Sequence, residues 1–454
     1  MSAYLPNIEE LQRLSRRAEV LTDAEVERVV QSARATRLQL DDLASLVKTV
    51  LAAPHSTASE IILRHAEAIR QELFGPYVIP MAPVEISNAC ASDCMFCGWR
   101  ASNREMKRLR MPLDLLLLQV EYLLDLGIYY IEFVSGDDIG VVRDLLPQLI
   151  RETRELFSER GVEGKISFCT LSLTESQYRM LVEAGADSMI VWQEAYQPDV
   201  YRAHVVGGPK AYGLTEDWKV PVGADGWAFR VQSQERALRA GLEVAVGTML
   251  GLNPDIITEF LATVEHARYL QDRYSPTEKH PLIVGMPIWN PITTRRTDKR
   301  PSEVPDMVAL FPIFAALYLL ALPTRSVWVF PNCRVPLQTQ VQAVKVAGVF
   351  TSTEVKLGPG GYLPALISKM EAGGQDTVAL RKRLAAMLRD AGESVDELAR
   401  ALDEREQFVH HYHAHEIYVR EMERHGLQIL RGVHLPACEV PSVAQNSTYL
   451  PNCL

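Results

Sequence analysis

Hydrophobic positions along this chain follow two rhythms. Up to about residue 80 they recur at the spacing of one helix face. Thr22-Asp23-Ala24-Glu25 reads as a capping box ahead of Val26, Val29 and Val30. Further helices are predicted over 40–52 and 56–73. From residue 84 the rhythm changes. Short apolar runs alternate with longer helical stretches, and each run ends in polar residues or glycine. The runs lie at 84–87, 130–135, 166–173, 189–194, 243–250, 283–287, 326–330 and 348–352. Eight strand–helix units predict an α/β fold, a (β/α)8 barrel of the TIM type over residues 81–364. A helical extension, 1–80, precedes it; a region that is helical up to His425, then a capping tail, fills 365–454. In such barrels chemistry sits at the C-terminal ends of the strands.

The longest apolar run, 307–323, contains Pro312 and falls short of a membrane span, so it predicts a buried helix. The first ten residues hold no apolar core of a signal peptide. Of seven cysteines, Cys169, Cys333, Cys438 and Cys453 have no disulfide-like spacing, which fits a reducing cytoplasm. A net charge of −10 argues against nucleic acid as a partner and is compatible with a cationic substrate. Neither nucleic acid nor membrane is expected as a partner.

The other three cysteines are grouped. Cys90, Cys94 and Cys97 directly follow the first strand run, in Asn88-Ala89-Cys90-Ala91-Ser92-Asp93-Cys94-Met95-Phe96-Cys97. Three thiolates at this spacing can hold a compact soft-metal centre by three corners. One iron of a 4Fe–4S cubane is then left open for a substrate or cosubstrate. Structural clusters are normally closed by four thiolates, and structural zinc takes four ligands. The spacing alone also admits a zinc site or three unrelated buried thiols. With an aromatic residue, Phe96, just before the third cysteine, the motif resembles that of the radical S-adenosylmethionine superfamily. The resemblance implies a 4Fe–4S cluster on the three cysteines and S-adenosylmethionine beside Phe96. It also implies an electron donor such as flavodoxin or ferredoxin.

The second strand run ends in Ser135-Gly136-Asp137-Asp138. Glycine lets the backbone approach a ligand, and the acids after it can accept hydrogen bonds from an ammonium group. By resemblance Ser135, Gly136 and Asp137 hold the methionyl amine; the plain reading is a helix N-cap at Asp137 or Asp138. The fourth run ends in Trp192-Gln193-Glu194-Ala195-Tyr196, with Gly208-Pro209-Lys210 and Phe229-Arg230-Val231 beyond it. Together with Gly98-Trp99-Arg100 and Gly358-Pro359-Gly360-Gly361-Tyr362, these resemble the branch of the aromatic amino-acid lyases, over about residues 80–365. That branch holds the tyrosine lyases of thiamine biosynthesis and hydrogenase maturation and the tryptophan lyase of nosiheptide assembly. By that resemblance Glu194 and Arg230 contact the cosubstrate, although either alone also fits an ordinary salt bridge.

Departures from the branch bear on the substrate. Where its members carry Pro-Arg-x-Arg-Pro, this chain reads Pro287-Ile288-Trp289-Asn290-Pro291. A neutral Asn290 cannot supply the charged fork that a carboxylate favours. Asn332-Cys333-Arg334-Val335 stands where the branch has Ser/Thr-Thr-Arg-Glu. An added segment between Lys210 and Arg230 carries Tyr212, Glu216, Asp217, Trp218 and Asp225. Its acids and aromatics suit a polyhydroxylated amine; the plain reading is a variable surface loop. The combination resembles the aminosugar dehydratases of the branch. That implies abstraction of the C4′ hydrogen of a paromamine-like aminoglycoside, loss of the C3′ hydroxyl as water and a 4′-keto-3′-deoxy product. A separate NADPH-dependent reductase would act on that ketone. On this reading Tyr212, Glu216 and Asp217 supply acid and base, and Asp225, Trp289, Asn290, Asn332 and Arg334 bind the substrate. One alternative is a tyrosine or tryptophan lyase with Arg334 as its carboxylate clamp. Another is a non-catalytic cluster carrier, which has no need of the 135–137 and Gln193-Glu194 elements.

Two further features are read as structural. His410-His411-Tyr412-His413-Ala414-His415 fits a polar helix face better than a metal site. Cys438 and Cys453 lack the spacing for a second cluster, and the tail is expected to pack across the barrel mouth.

Overall fold

The computed structural model describes residues 3–292 and 305–437. Eight parallel strands follow one another in chain order: β1 (Tyr77–Ser87), β2 (Tyr130–Ser135), β3 (Lys165–Cys169), β4 (Ser188–Met189), β5 (Glu243–Gly247), β6 (Leu282–Gly285), β7 (Val327–Phe330) and β8 (Phe350–Ser352). β8 lies beside β1, and a single bridge between Val329 and Gly348 brings β7 and β8 together. Helices cover the outside, so the strands are buried on both faces and read as continuous apolar runs. This is the TIM-type α/β architecture the patterning predicts.

The strands are shorter than their apolar runs where the chain turns toward the mouth. Of the predicted 189–194 only Met189 is strand, β4 being Ser188–Met189. Glu194 adopts φ 71, a left-handed conformation that a strand does not accommodate. At the other end β1 begins earlier than predicted. Residues 77–80, assigned by pattern to the helical extension, are strand, because Tyr77 and Val78 pair with β9 (Gln428–Ile429) and Ile79 and Pro80 pair with β8.

The N-terminal helices explain the apolar run. Ile8–Arg17 and Asp23–Ser32 form as capped helices, the second with the predicted Thr22–Glu25 capping box. Leu40–Ala52 and Thr57–Phe74 pack onto helix Met307–Ala321. That helix is therefore covered on its outer side as well as by the barrel, and it is apolar all round. Among the described residues no helix is long and apolar enough to cross a membrane.

The C-terminal region departs most from expectation. Helices Leu363–Ala372, Val378–Leu388, Val395–Asp403 and His415–Arg424 are interrupted by a non-helical strap, 404–414. The strap crosses the C-terminal ends of the strands. Trp99 Nε1 donates to Arg405 O (2.9 Å), Gly98 N to Gln407 O (3.0 Å), Val409 N to Pro291 O (2.7 Å) and His411 N to Cys333 O (3.2 Å). Backbone groups engaged across loops cannot also close a helix. The histidine run is therefore not a polar helix face. His413 stacks on Tyr418 and His415 Nδ1 lies 3.2 Å from the Thr353 hydroxyl, both histidines being buried. Of the tail predicted to cross the mouth, the described part begins with β9, which pairs with the start of β1 at the opposite end of the strands, and Cys438 and Cys453 lie outside the described residues; the strap crosses the mouth instead.

Candidate active site

One cavity opens above the C-terminal ends of the strands, and Cys90, Cys94 and Cys97 form part of its wall. Their loop is gripped from two sides. Met95 N donates to His204 O (2.8 Å) and Asp93 N to Gly207 O (3.0 Å). Gly208, at φ 77, packs so closely that a Cβ would lie 2.1 Å from Ala91 O. From β2, Gly136 N donates to Ser87 O (2.8 Å), and a Cβ on Gly136 would lie 2.3 Å from Ala89 O. Both positions need glycine, one for conformation and room, the other for room alone.

The sulfur atoms are prepared as ligands. Asp137 N–H points at Cys90 Sγ (3.3 Å), and Gln407 Nε2 donates to Cys97 Sγ (3.1 Å). Hydrogen bonds to sulfur are among the devices by which proteins tune a cluster. Burial pushes all three thiols up, so the anionic form needs a bound metal beside it. Among the described residues no three His, Cys, Asp or Glu side chains converge on a single ion. Three thiolates that each take a different iron of a cubane have no need to converge. The residues fit a 4Fe–4S cluster held at three corners.

The cosubstrate candidates meet in the same cavity. Phe96, Ser135, Gly136, Asp137, Glu194 and Arg230 all line it. The Asp137 carboxylate takes the Ser92 hydroxyl, and Ser92 Oγ accepts from Lys210 N (2.9 Å). Asp138 does structural work instead. It accepts from Ser87 Oγ (3.0 Å) and Val141 N (3.4 Å) and forms a two-pronged pair with Arg110 (2.6 and 3.0 Å). Glu194 Oε1 lies 2.8 Å from Lys210 Nζ and 3.6 Å from Arg230. Burial pushes the Glu194 carboxyl up, but Lys210 and Arg230 outweigh it and hold the group below its usual value. Burial likewise pulls Lys210 down, and Cys94 with Glu194 more than reverses it. Lys210 is a site residue that sequence reasoning did not single out. Gly-Pro-Lys was visible, but the partners of its ammonium were not.

On the substrate side the structure divides the candidates. Arg334 lines the cavity, donates to Ile288 O (3.0 Å) and lies over the Phe408 ring, 3.8 Å from its centre. Asn290 and Trp289 line an adjoining cavity that also reaches Arg334. Asn290 Nδ2 donates to Arg334 O (2.9 Å), and Asn332 Oδ1 accepts from Arg334 N (3.1 Å), so both asparagines shape the arginine's loop. Gln407 and Phe408 come from the strap and had no signal in the sequence near the cysteines.

The added segment is not brought to the cavity. Glu216 is exposed and accepts from Thr174 Oγ1 (2.8 Å) and Ser176 Oγ. Asp217, also exposed, binds Thr215 Oγ1 (2.5 Å) and Lys219. Asp225 caps helix Gly226–Val231 and pairs with Arg202 (3.2 Å). Tyr212 is half-buried at the end of the short helix Pro209–Tyr212, outside the cavity wall. The structure therefore brings none of Tyr212, Glu216, Asp217 and Asp225, expected as acid, base and substrate ligand, to the wall of this cavity. Local caps and hydroxyls already satisfy the three acids, and the segment folds back on the outside of the barrel mouth.

The fold is shared with FeFe-hydrogenase maturase HydG from Carboxydothermus hydrogenoformans, at TM-score 0.64 and 21% identity over 87% of this chain and 92% of that one. Methylornithine synthase (PylB) shares it at TM-score 0.55 and 16% identity, over 78% and 96%. No family model matches the chain. Fold, cysteine loop and relatives together support the class: the radical S-adenosylmethionine superfamily, which binds a 4Fe–4S cluster and S-adenosylmethionine. Among curated proteins the chain is similar to 2-iminoacetate synthase of Escherichia coli (strain K12), 26% identical over 348 residues, 75% of this chain and 81% of that one. It is also similar to the FeFe-hydrogenase maturase subunit HydE of Thermotoga maritima, 29% identical over 147 residues, 32% of this chain and 40% of that one. The likeness supports the branch of these proteins and not one member of it.

Proposed function

We propose that this chain is a radical S-adenosylmethionine lyase that acts on an amine-bearing substrate seated between the cysteine loop and the ends of β6 and β7. The observation that carries this reading is the single cavity joining the cysteine triad, the Glu194–Lys210–Arg230 network and Arg334. When bound, the cluster and S-adenosylmethionine supply a 5′-deoxyadenosyl radical. Segment 135–137, Glu194, Lys210 and Arg230 orient the cosubstrate, and the strap closes the mouth against water.

Two substrates suit the cavity. The likeness to 2-iminoacetate synthase and the branch resemblance weigh towards an aromatic amino acid, tyrosine or tryptophan, whose carboxylate Arg334 of the cavity wall would take. The end of β6 weighs towards an aminosugar. There Asn290 is buried, and its Oδ1 has no hydrogen-bond partner among the described residues, which suits a hydroxyl or ammonium donor better than a carboxylate. On that second reading the reaction is the C3′ dehydration of a paromamine-like substrate, as in apramycin assembly, followed by an NADPH-dependent reductase. Either reading draws electrons from a flavodoxin or ferredoxin.

The test is 5′-deoxyadenosine formation by the reconstituted, reduced protein with tyrosine, tryptophan or paromamine supplied separately. Stimulation by an amino acid, with glyoxylate, dehydroglycine, p-cresol or an indole acid released, supports the first substrate. Stimulation by paromamine with a 4′-keto-3′-deoxy product supports the second. No stimulation by any of the three sinks the proposal.

A further inference from the structure

Beneath the cavity the barrel holds two carboxyls that the site above does not use. Tyr130 of β2 meets Phe350 of β8 across β1, with ring centres 4.6 Å apart, so this face of β2 points into the barrel. Glu132 and Val134 follow on the same face, and Val134 lines the cavity. Glu85 of β1 stands opposite Val134 in the register. Both carboxyls therefore face inward, Glu85 level with the cavity wall and Glu132 one step below.

They differ from the other buried acids in what surrounds them. Glu194 has Lys210 and Arg230, and Glu243 has Lys165. Glu259 accepts from Asn253, Thr248 and the Tyr196 and Gln197 amides. Glu85 is 2% exposed, and its Oε2 has no hydrogen-bond partner among the described residues. Glu132 is 8% exposed, and burial alone pushes it up to about 8. Burial, then Glu132 and Glu406, push Glu85 well up. The ionisable groups set against Glu132 are Glu85, Cys169 and Tyr130. None of the groups named around either carboxyl is a cation. Ionising a buried carboxyl without a partner is costly, and a fold that sets two such carboxyls on one interior face has left a place for a cation.

The neighbouring wall is apolar. The Trp192 ring lies against β5 and β6, where a Cβ on Gly247 or Gly285 would come within 3.0 or 2.0 Å of it. Phe330 is partly stacked behind it, with ring centres 6.2 Å apart.

We infer that Glu85 and Glu132, below the cavity floor at Val134, form the subsite for a protonated amine of the substrate, with Trp192 of the cavity wall, backed by Phe330, as its apolar side. This rests on the amine-bearing substrate proposed above and says where the amine is received. The α-ammonium of an amino acid and the ammonium of an aminosugar share this chemistry, so the experiment carries one arm for each.

The experiment is titration calorimetry on the cluster-reconstituted, S-adenosylmethionine-loaded protein, with tyrosine in one arm and paromamine in the other. Wild type, Glu85→Gln and Glu132→Gln are compared. One of the two amines should bind the wild type, and each substitution should weaken it roughly 30-fold or more. Iron content and S-adenosylmethionine affinity should not change. A wild-type measurement stands beside the variants in case one fails to fold. Burial raises Glu132 to about 8, so an ammonium seated beside it expels its proton, and the heat of binding should depend on the buffer's own ionisation heat.

Unchanged affinity in both variants, buffer-independent heats, or no binding of either amine overturns the inference. Weakened binding in the variants without any 5′-deoxyadenosine from the bound amine keeps the subsite and defeats the lyase reading. Deoxyadenosine formation with unweakened binding does the reverse.

Discussion

Charges at the mouth of the barrel and charges one layer below it are treated in opposite ways. At the mouth each acid has its partner: Glu194 has Lys210 and Arg230, Asp137 has Ser92, and Asp138 has Arg110. Below, Glu85 and Glu132 face the interior with no cation named beside them. The mouth is built to keep one geometry whether or not a ligand is present, which is what a preorganised cofactor site requires. The interior is left electrostatically incomplete, which is what a site requires when the ligand brings the missing charge. The added segment makes a third case. Its acids are held by caps, hydroxyls and surface cations, away from the cavity wall.

The sharpest way to break this contrast is to empty the mouth. Replacing Cys90, Cys94 or Cys97 by alanine should abolish 5′-deoxyadenosine formation. The wild type should bind about four irons per described cysteine triad; an iron assay giving none would end the cluster reading. Next in size is Glu194→Ala, which strands Lys210 and Arg230 as buried cations. A loss of about 3–5 kcal/mol of stability is expected, read as a lower Tm together with weaker S-adenosylmethionine binding. Arg334→Met should cost about 2–5 kcal/mol of binding for a carboxylate substrate. Little change in KM would point to the aminosugar.

The interior gives a pH signature. Glu132 has its folded value raised from 4.5 to about 8, so the native state holds a proton the unfolded chain releases. Its contribution to stability is complete below about 4.5 and is lost as pH rises to about 8. Glu132→Gln should remove that decline, and a Tm–pH profile unchanged by the substitution would contradict it. The smallest effects belong to the added segment. Asp225→Ala should cost about 1 kcal/mol through the lost N-cap. Glu216→Gln and Asp217→Asn should leave turnover and substrate affinity as they were. A tenfold rise in KM from either would return the segment to the active site.

Much of this molecule was legible in its sequence. Strand–helix alternation determined the barrel, because a strand buried on both faces is apolar over most of its length. The cysteine spacing determined the ligand loop, because all three thiolates come from one local turn. Ser135, Gly136, Asp137 and Glu194 were within reach because they sit at or after strand ends, where a barrel places its chemistry, whereas Arg230 comes from helix Gly226–Val231.

What only the tertiary structure decided concerns contacts between residues far apart in the chain. Gln407 reaches Cys97 across more than three hundred positions, and helical periodicity on either side hid the strap that carries it. The acids of the added segment looked like a substrate site because charge is visible in a sequence and its partner is not. Glu85 and Glu132 lay inside apolar strand runs, and nothing local marked them. An acid's role depends on what the fold sets beside it, and that is settled only when β1 and β2 pair in register and the barrel closes around them.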